Sequence, residues 1–129
     1  MQVRNSQQNF GGAKYSFNSR TNIPEITNGI RAAVDKVGEK HDVALKLKGA
    51  IKCQGGEHHC CDYVTTSKVV VSKANKSPFE KLLHFVGLLP KATVSSTFEH
   101  HKGISAASAK AQSIADTQKA MKQFAVKAK

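Results

Sequence analysis

Acidic residues are scarce in this chain. Only 9 Asp and Glu stand against 20 Lys and Arg, and the formal net charge over 129 residues is +11. That imbalance argues against a strongly cationic partner and points to an anionic one: nucleic acid, an acidic protein or an anionic membrane surface. Long apolar runs are lacking as well. The densest apolar stretch, residues 79–89, is broken by Glu80, Lys81, His84 and Gly87, so it falls short of the roughly 18 residues that a membrane-spanning helix needs. The first twenty residues have no apolar segment of the signal-peptide kind. Cysteine is few and odd in number, three in all, which fits a reducing compartment better than a disulfide framework. A cytoplasmic protein is the expectation, and export by a signal-less route would leave no mark in the sequence.

Strong core formers are also limited. Val, Ile, Leu and Phe number 29, about 22% of the chain, so the core is expected to be small. The length suits one domain. No glycine-rich phosphate loop and no nucleophile elbow is present, and Ser105 and Ser108 stand in an alanine-rich segment where they read as structural.

What is present is a sequence of elements with clear periods. Residues 1–22 are rich in Asn, Gln, Ser and Gly and read as a flexible N-terminal tail, with one short alternation at Tyr15 and Phe17 that can dock a brief strand. The remaining 23–129 read as a single domain. Asn22 is placed to cap a first helix with Pro24 in its first turn; Ile26, Ile30, Ala33, Val34 and Val37 recur on one face, and Gly38 is a stop. From Asp42 to Cys53 the period becomes two, with Val43, Leu45, Leu47, Ile51 and Cys53 on one side and Lys46, Lys48 and Lys52 on the other. A turn at residues 54–57 leads to a second strand, residues 63–73, which carries Lys68 on its polar side. Ser77-Pro78-Phe79-Glu80 is a capping box opening a second helix that ends by Pro90. Its apolar arc is wide enough for packing between a sheet and another helix, and it suits a homodimer contact through residues 78–89 as well. A third strand follows over residues 92–100. A long last helix spans residues 104–129, with Ala107, Ala111, Ile114, Gln118, Met121 and Ala125 as a weak stripe.

The order α-β-β-α-β-α therefore predicts an α+β fold, a small two-layer α/β sandwich with a three-stranded mixed sheet and helices on one face. A helix between strands two and three is the usual crossover of a parallel pair, so those two strands are expected to run parallel.

On this reading the sheet face away from the helices presents Lys46, Lys48, Lys52 and Lys68 among hydroxyls from Thr66, Ser72, Thr93, Ser95 and Thr97. Cations and hydroxyls on an open face suit phosphates, and alternate strand residues sit about 6.6 Å apart, close to the step of phosphates along a single strand. With 17 Lys to 3 Arg, bidentate reading of bases is disfavoured. The bland alternative is that these lysines only keep the face soluble. In the tail, Arg4, Lys14 and Arg20 interleave with Phe10, Tyr15 and Phe17, a mixture suited to phosphate contact and base stacking. The last helix adds further lysines. The expected function is non-enzymatic, weakly specific binding of RNA or DNA. A protein-interaction module, an inhibitor or secreted effector docking on an acidic partner, is the alternative.

Cys53, His58, His59, Cys60, Cys61 and Asp62 crowd six candidate ligands at the hairpin tip. The residue types suit zinc, and Cys53, His58 or His59, and Cys60 or Cys61 are the most workable set, although the spacing contains no CxxC pair. Otherwise no cofactor is expected. Glu99 and His100 end the third strand. A parallel third strand leaves them roughly 30 Å from the tip, whereas an antiparallel one would bring Glu57, His58, Glu99 and His100 together as a general acid/base set of a small metal-independent ribonuclease.

Overall fold

Four segments of the chain alternate with a period of two, and all four pair into one sheet. The computed structural model describes residues 12–53, 61–74, 77–101 and 103–127. In chain order these form β1 (Ala13–Phe17), α1 (Pro24–Gly38), β2 (His41–Cys53), β3 (Cys61–Lys73), α2 (Pro78–Phe85), β4 (Lys91–His100) and α3 (Ala106–Lys127). The sheet order is β1-β2-β3-β4. The α+β class and the mixed sheet of the sequence reading hold, with four strands in place of three.

The fourth strand is the short alternation placed in the tail. Residues Ala13 to Phe17 pair in parallel with Val43 to Leu47, and α1 is the crossover between them. Beyond Phe17 the pairing continues through a side chain. The Asn18 amide donates to the Gly49 carbonyl at 2.7 Å and accepts from its N–H at 3.0 Å, as a strand neighbour would. The Thr21 hydroxyl, fully buried, donates to the Leu47 carbonyl at 2.8 Å. Gly49 is small because a Cβ there would stand 2.5 Å from Ile104 Cδ1 and 2.9 Å from Arg20 Cβ.

The direction of the last strand corrects the sequence expectation. β4 runs antiparallel to β3, with Ser72 opposite Lys91 and Tyr63 opposite His100. A helix between two strands makes a parallel crossover only if it packs along the sheet, and α2 does not. It buries no residue, and among the described residues no other element packs against it. The chain leaves the end of β3, forms α2 beyond the sheet and returns beside its point of departure. The sandwiched helix expected from the wide apolar arc is thus absent. The capping box is present as read: Ser77 Oγ accepts from the Glu80 N–H and the Glu80 carboxylate from the Ser77 N–H.

Helices α1 and α3 cover one face of the sheet. Helix α1 inserts Ile26, Ile30 and Val34, all essentially buried, against Val43, Leu45, Leu47, Val69 and Val71, each worth up to about 1.5–3 kcal/mol by removal from water. Its N-cap is Ile23, one residue later than the Asn22 expected, and no side chain caps it. Helix α3 packs on β3, β4 and α1 through Ala109, Ser113, Asp116, Thr117, Ala120 and Phe124. That stripe is rotated from the apolar one read in the sequence, where Ala107, Ala111, Gln118 and Ala125 prove exposed. The reason is the surface beneath. On their covered sides β3 and β4 present Thr65, Ser67, Ser96 and His100 along one stretch, and α3 turns small and polar residues toward it.

Candidate nucleic-acid interface

Strand alternation places the lysines. With Val43, Leu45, Leu47, Val69, Val71, Ala92 and Val94 buried under the helices, the intervening residues point to the uncovered side. The register then sets them in rows across the four strands. Ser16, Lys46, Lys68 and Ser95 are successive partners in one row; Lys48, Thr66 and Thr97 form the next on one side, and Lys14, Ala44, Val70 and Thr93 the next on the other. Lys14, Lys46, Lys48, Lys52 and Lys68 are all exposed.

Through these three rows no acidic residue occurs. Asp42 lies at one end of the face, where its carboxylate accepts from the Gly12 N–H at 3.1 Å, and Asp62 and Glu99 lie toward the other. Among the described residues no ion pair engages the five lysines. Lys46 and Lys68 stand directly opposite each other, a like-charge pairing that destabilises a sheet. Lys14, Ser16, Lys46 and Lys68 rim a shallow depression of about 260 Å³ floored by Ala44 and Val70.

Lys14, which sequence reading left in the tail, belongs to this face because β1 joins the sheet. Tyr15 goes the other way. Its hydroxyl donates to Asp35 at 2.6 Å, its ring stacks on Phe17, and the Arg31 guanidinium lies 4.9 Å from its centroid. Burial and the Asp35 carboxylate raise the phenol well above its ordinary range. Tyr15 therefore holds β1 to α1 on the covered side, away from the lysines. The Cβ of Arg20 stands over Gly49 near Ile104, also on the covered side. Arg4 and Phe10 lie outside the described residues. The lysines of α3, including exposed Lys119 and Lys122, sit on the helical layer, so they and the sheet lysines form two surfaces, not one.

The hairpin tip is reached at its base only. Cys53 and Cys61 are opposed at the last rung of β2 and β3, while Glu57, His58, His59 and Cys60 lie outside the described residues. Among the described residues no group of three or more His, Cys, Asp or Glu is arranged to hold a metal ion.

The antiparallel β4 does bring the Glu99–His100 end alongside β3 near the tip. Alternation then separates the two side chains, with Glu99 exposed on the lysine side and His100 only 6% exposed under α3. His100 belongs to a buried polar seam that sequence reading missed. Thr65 donates to Gln112 Oε1 at 2.6 Å and lies 3.1 Å from His100 Nε2, which makes Nε2 the protonated nitrogen donating to Thr65. The Gln112 amide donates to the carbonyls of Thr65 and Ser96, both at 3.2 Å. Ser96 in turn donates to Asp116 at 2.5 Å. Burial lowers the His100 pKa from its ordinary value. The hydroxyls of Ser67 and Ser113 are buried there with no hydrogen-bond partner among the described residues. The signal was the run of Ser and Thr at covered-side positions of β3 and β4. His100 is engaged with Thr65 and closed over by α3.

No family model, curated protein or solved structure matches the chain, and among the described residues no helix is long and apolar enough to cross a membrane.

Proposed function

We propose that the chain binds the sugar–phosphate backbone of nucleic acid, RNA or DNA, with little preference for sequence, through the uncovered face of its sheet. The carrying observation is the facing pair Lys46 and Lys68 inside three rows that hold no carboxylate. Such an arrangement opposes folding by repulsion, and an anionic polymer laid across the rows relieves it. Hydroxyls of Ser16, Thr66, Ser95 and Thr97 flank the lysines and suit phosphate and sugar oxygens. An acidic protein would meet the same charges, but the face lacks the aromatic or arginine anchors that protein interfaces concentrate. The absence of aromatic rings from the rows also explains why backbone contact, and not base stacking, is the mode.

Fluorescence anisotropy with labelled single-stranded RNA and DNA tests the reading. The four lysines of the rows on phosphates of a single strand give a slope of log K against log salt of about −2.8. Absence of binding at low salt, or a flat salt dependence, overturns it.

A further inference from the structure

Helix α2 is turned inside out. An amphipathic helix on a globular body normally buries its apolar stripe, yet here Phe85 is 86% exposed, Phe79 68% and Leu82 59%, with Val86 exposed beside them. The side toward the body is partly covered and carries only one apolar residue: Glu80 is ion-paired with Lys73, and Leu83 and His84 are half-buried. The apolar residues are contiguous at 100° per residue, and Leu88, 71% exposed, extends them past the left-handed Gly87 (φ 82°) that ends the helix. The result is a protruding apolar ridge with no neighbouring element against it among the described residues.

Charge around the ridge narrows its occupant. Lys81 projects from the same helix, and Lys91 and Lys127 line the hollow behind Leu88, with Lys127 Nζ donating to the Lys91 carbonyl at 3.1 Å. The carboxylate of α2, Glu80, is taken by Lys73. A second copy meeting the ridge about a two-fold axis would set basic rim against basic rim. A convex ridge of Phe, Leu and Val with a lysine collar matches a soft phase that is apolar beneath and anionic at its surface.

We propose that α2 and the turn after it form an interfacial anchor that inserts into the headgroup region of an anionic lipid bilayer. Phe79, Leu82, Phe85 and Leu88 enter the acyl boundary about 5–10 Å deep, while Lys81, Lys91 and Lys127 stay at the level of the anionic headgroups. The helix lies along the surface and does not span it. This surface is separate from the lysine rows of the sheet, and the anchor does not depend on nucleic-acid binding.

The chain has no tryptophan, so a Phe85→Trp variant reports from one place. With vesicles of phosphatidylcholine containing about 30% phosphatidylserine, its emission shifts to shorter wavelength and is quenched by lipids brominated along the acyl chain; phosphatidylcholine alone gives neither change. The double variant Leu82→Ser/Phe85→Ser, which changes only exposed side chains and should keep its thermal midpoint, lowers vesicle binding about a hundredfold. Added to Phe85→Trp, the substitutions Lys46→Thr/Lys48→Thr/Lys68→Thr leave the indole shift in place. The proposal is overturned by cosedimentation with a water-exposed indole, which means adsorption through lysines alone. Vesicle binding unchanged in the Ser double variant overturns it, as does no vesicle binding at all. A blue shift without lipid that tracks a doubled sedimentation mass also overturns it, and assigns the ridge to a second copy.

Discussion

Replacing Lys46, Lys48 and Lys68 by Thr tests whether the open face is built for a ligand or only for solubility, because the two roles move stability and affinity differently. Lys46 and Lys68 face each other across β2 and β3 with no ion pair to either among the described residues, so removing the pair relieves a repulsion of about 0.2–1 kcal/mol. Threonine is also at home in a strand. The triple variant should therefore melt about 1–4 °C higher than the parent. Its affinity moves the other way. Each phosphate contact on a single strand carries a salt exponent of about 0.7, so three lost contacts flatten the slope by about 2 and weaken binding by about 500-fold near 0.05 M salt. A control variant, Lys36→Gln/Lys119→Gln/Lys122→Gln, removes the same charge from exposed sites on the helical layer. Anisotropy titrations at several salt concentrations and thermal melts on all three proteins give the comparison. If the control loses as much affinity as the face variant, net charge and not the rows attracts the polymer, and the reasoning fails. If the face variant melts higher with its affinity intact, the lysines serve solubility alone.

Other consequences follow from the covered side. Gln112→Ala should destabilise the protein by about 1–3 kcal/mol in urea denaturation, since the bonds that its amide makes to the Thr65 hydroxyl and to the Thr65 and Ser96 carbonyls are lost from a buried seam. Ser113→Ala should raise stability by about 1 kcal/mol, because it deletes a buried hydroxyl with no partner among the described residues and adds a better helix former. Burial holds the His100 imidazole neutral below its ordinary titration range. The unfolded chain then binds that proton first, so stability is full above pH about 6.5 and declines as pH falls from there through the folded-state value. His100→Gln, compared with the parent by denaturation at neutral and mildly acidic pH, should shrink that decline; an unchanged decline would assign it to other groups. Gly49→Ala should cost about 1–3 kcal/mol through its clash with Ile104 and Arg20, with partial recovery in a Gly49→Ala/Ile104→Val double variant that leaves the Arg20 contact in place.

Where period and burial agree, the sequence was readable. The Val43, Leu45 and Leu47 alternation with lysines between foretold both β2 and the face it exposes, and the Ser77–Glu80 box marked the start of α2 to the residue. Reading failed where an element does not bury its apolar side. The stripe on α2 says that something should cover it, but whether that is the sheet, a helix or something outside the chain is not written in its spacing, and the direction of β4 hung on that point. In α3 the opposite happened: apart from Phe124 the buried side is Ser, Thr, Asp and Ala, so hydropathy pointed a fraction of a turn away from the true contact. The short alternation at Tyr15 and Phe17 marked a strand but not its partner, which is why Lys14 was not assigned to the basic face and Tyr15 looked free to stack on a base.

Because Ser72 stands opposite Lys91, the chain that makes α2 starts and finishes at neighbouring points on the sheet. A turn of a few residues could close β3 onto β4 and leave every rung of the ladder in place. The layered body and α2 are therefore nearly independent: residues 78–85, none of them buried, can be re-surfaced without disturbing the core, much as a surface loop tolerates change. In such a scaffold the surface carried by α2 and the surface carried by the open sheet face are free to change separately.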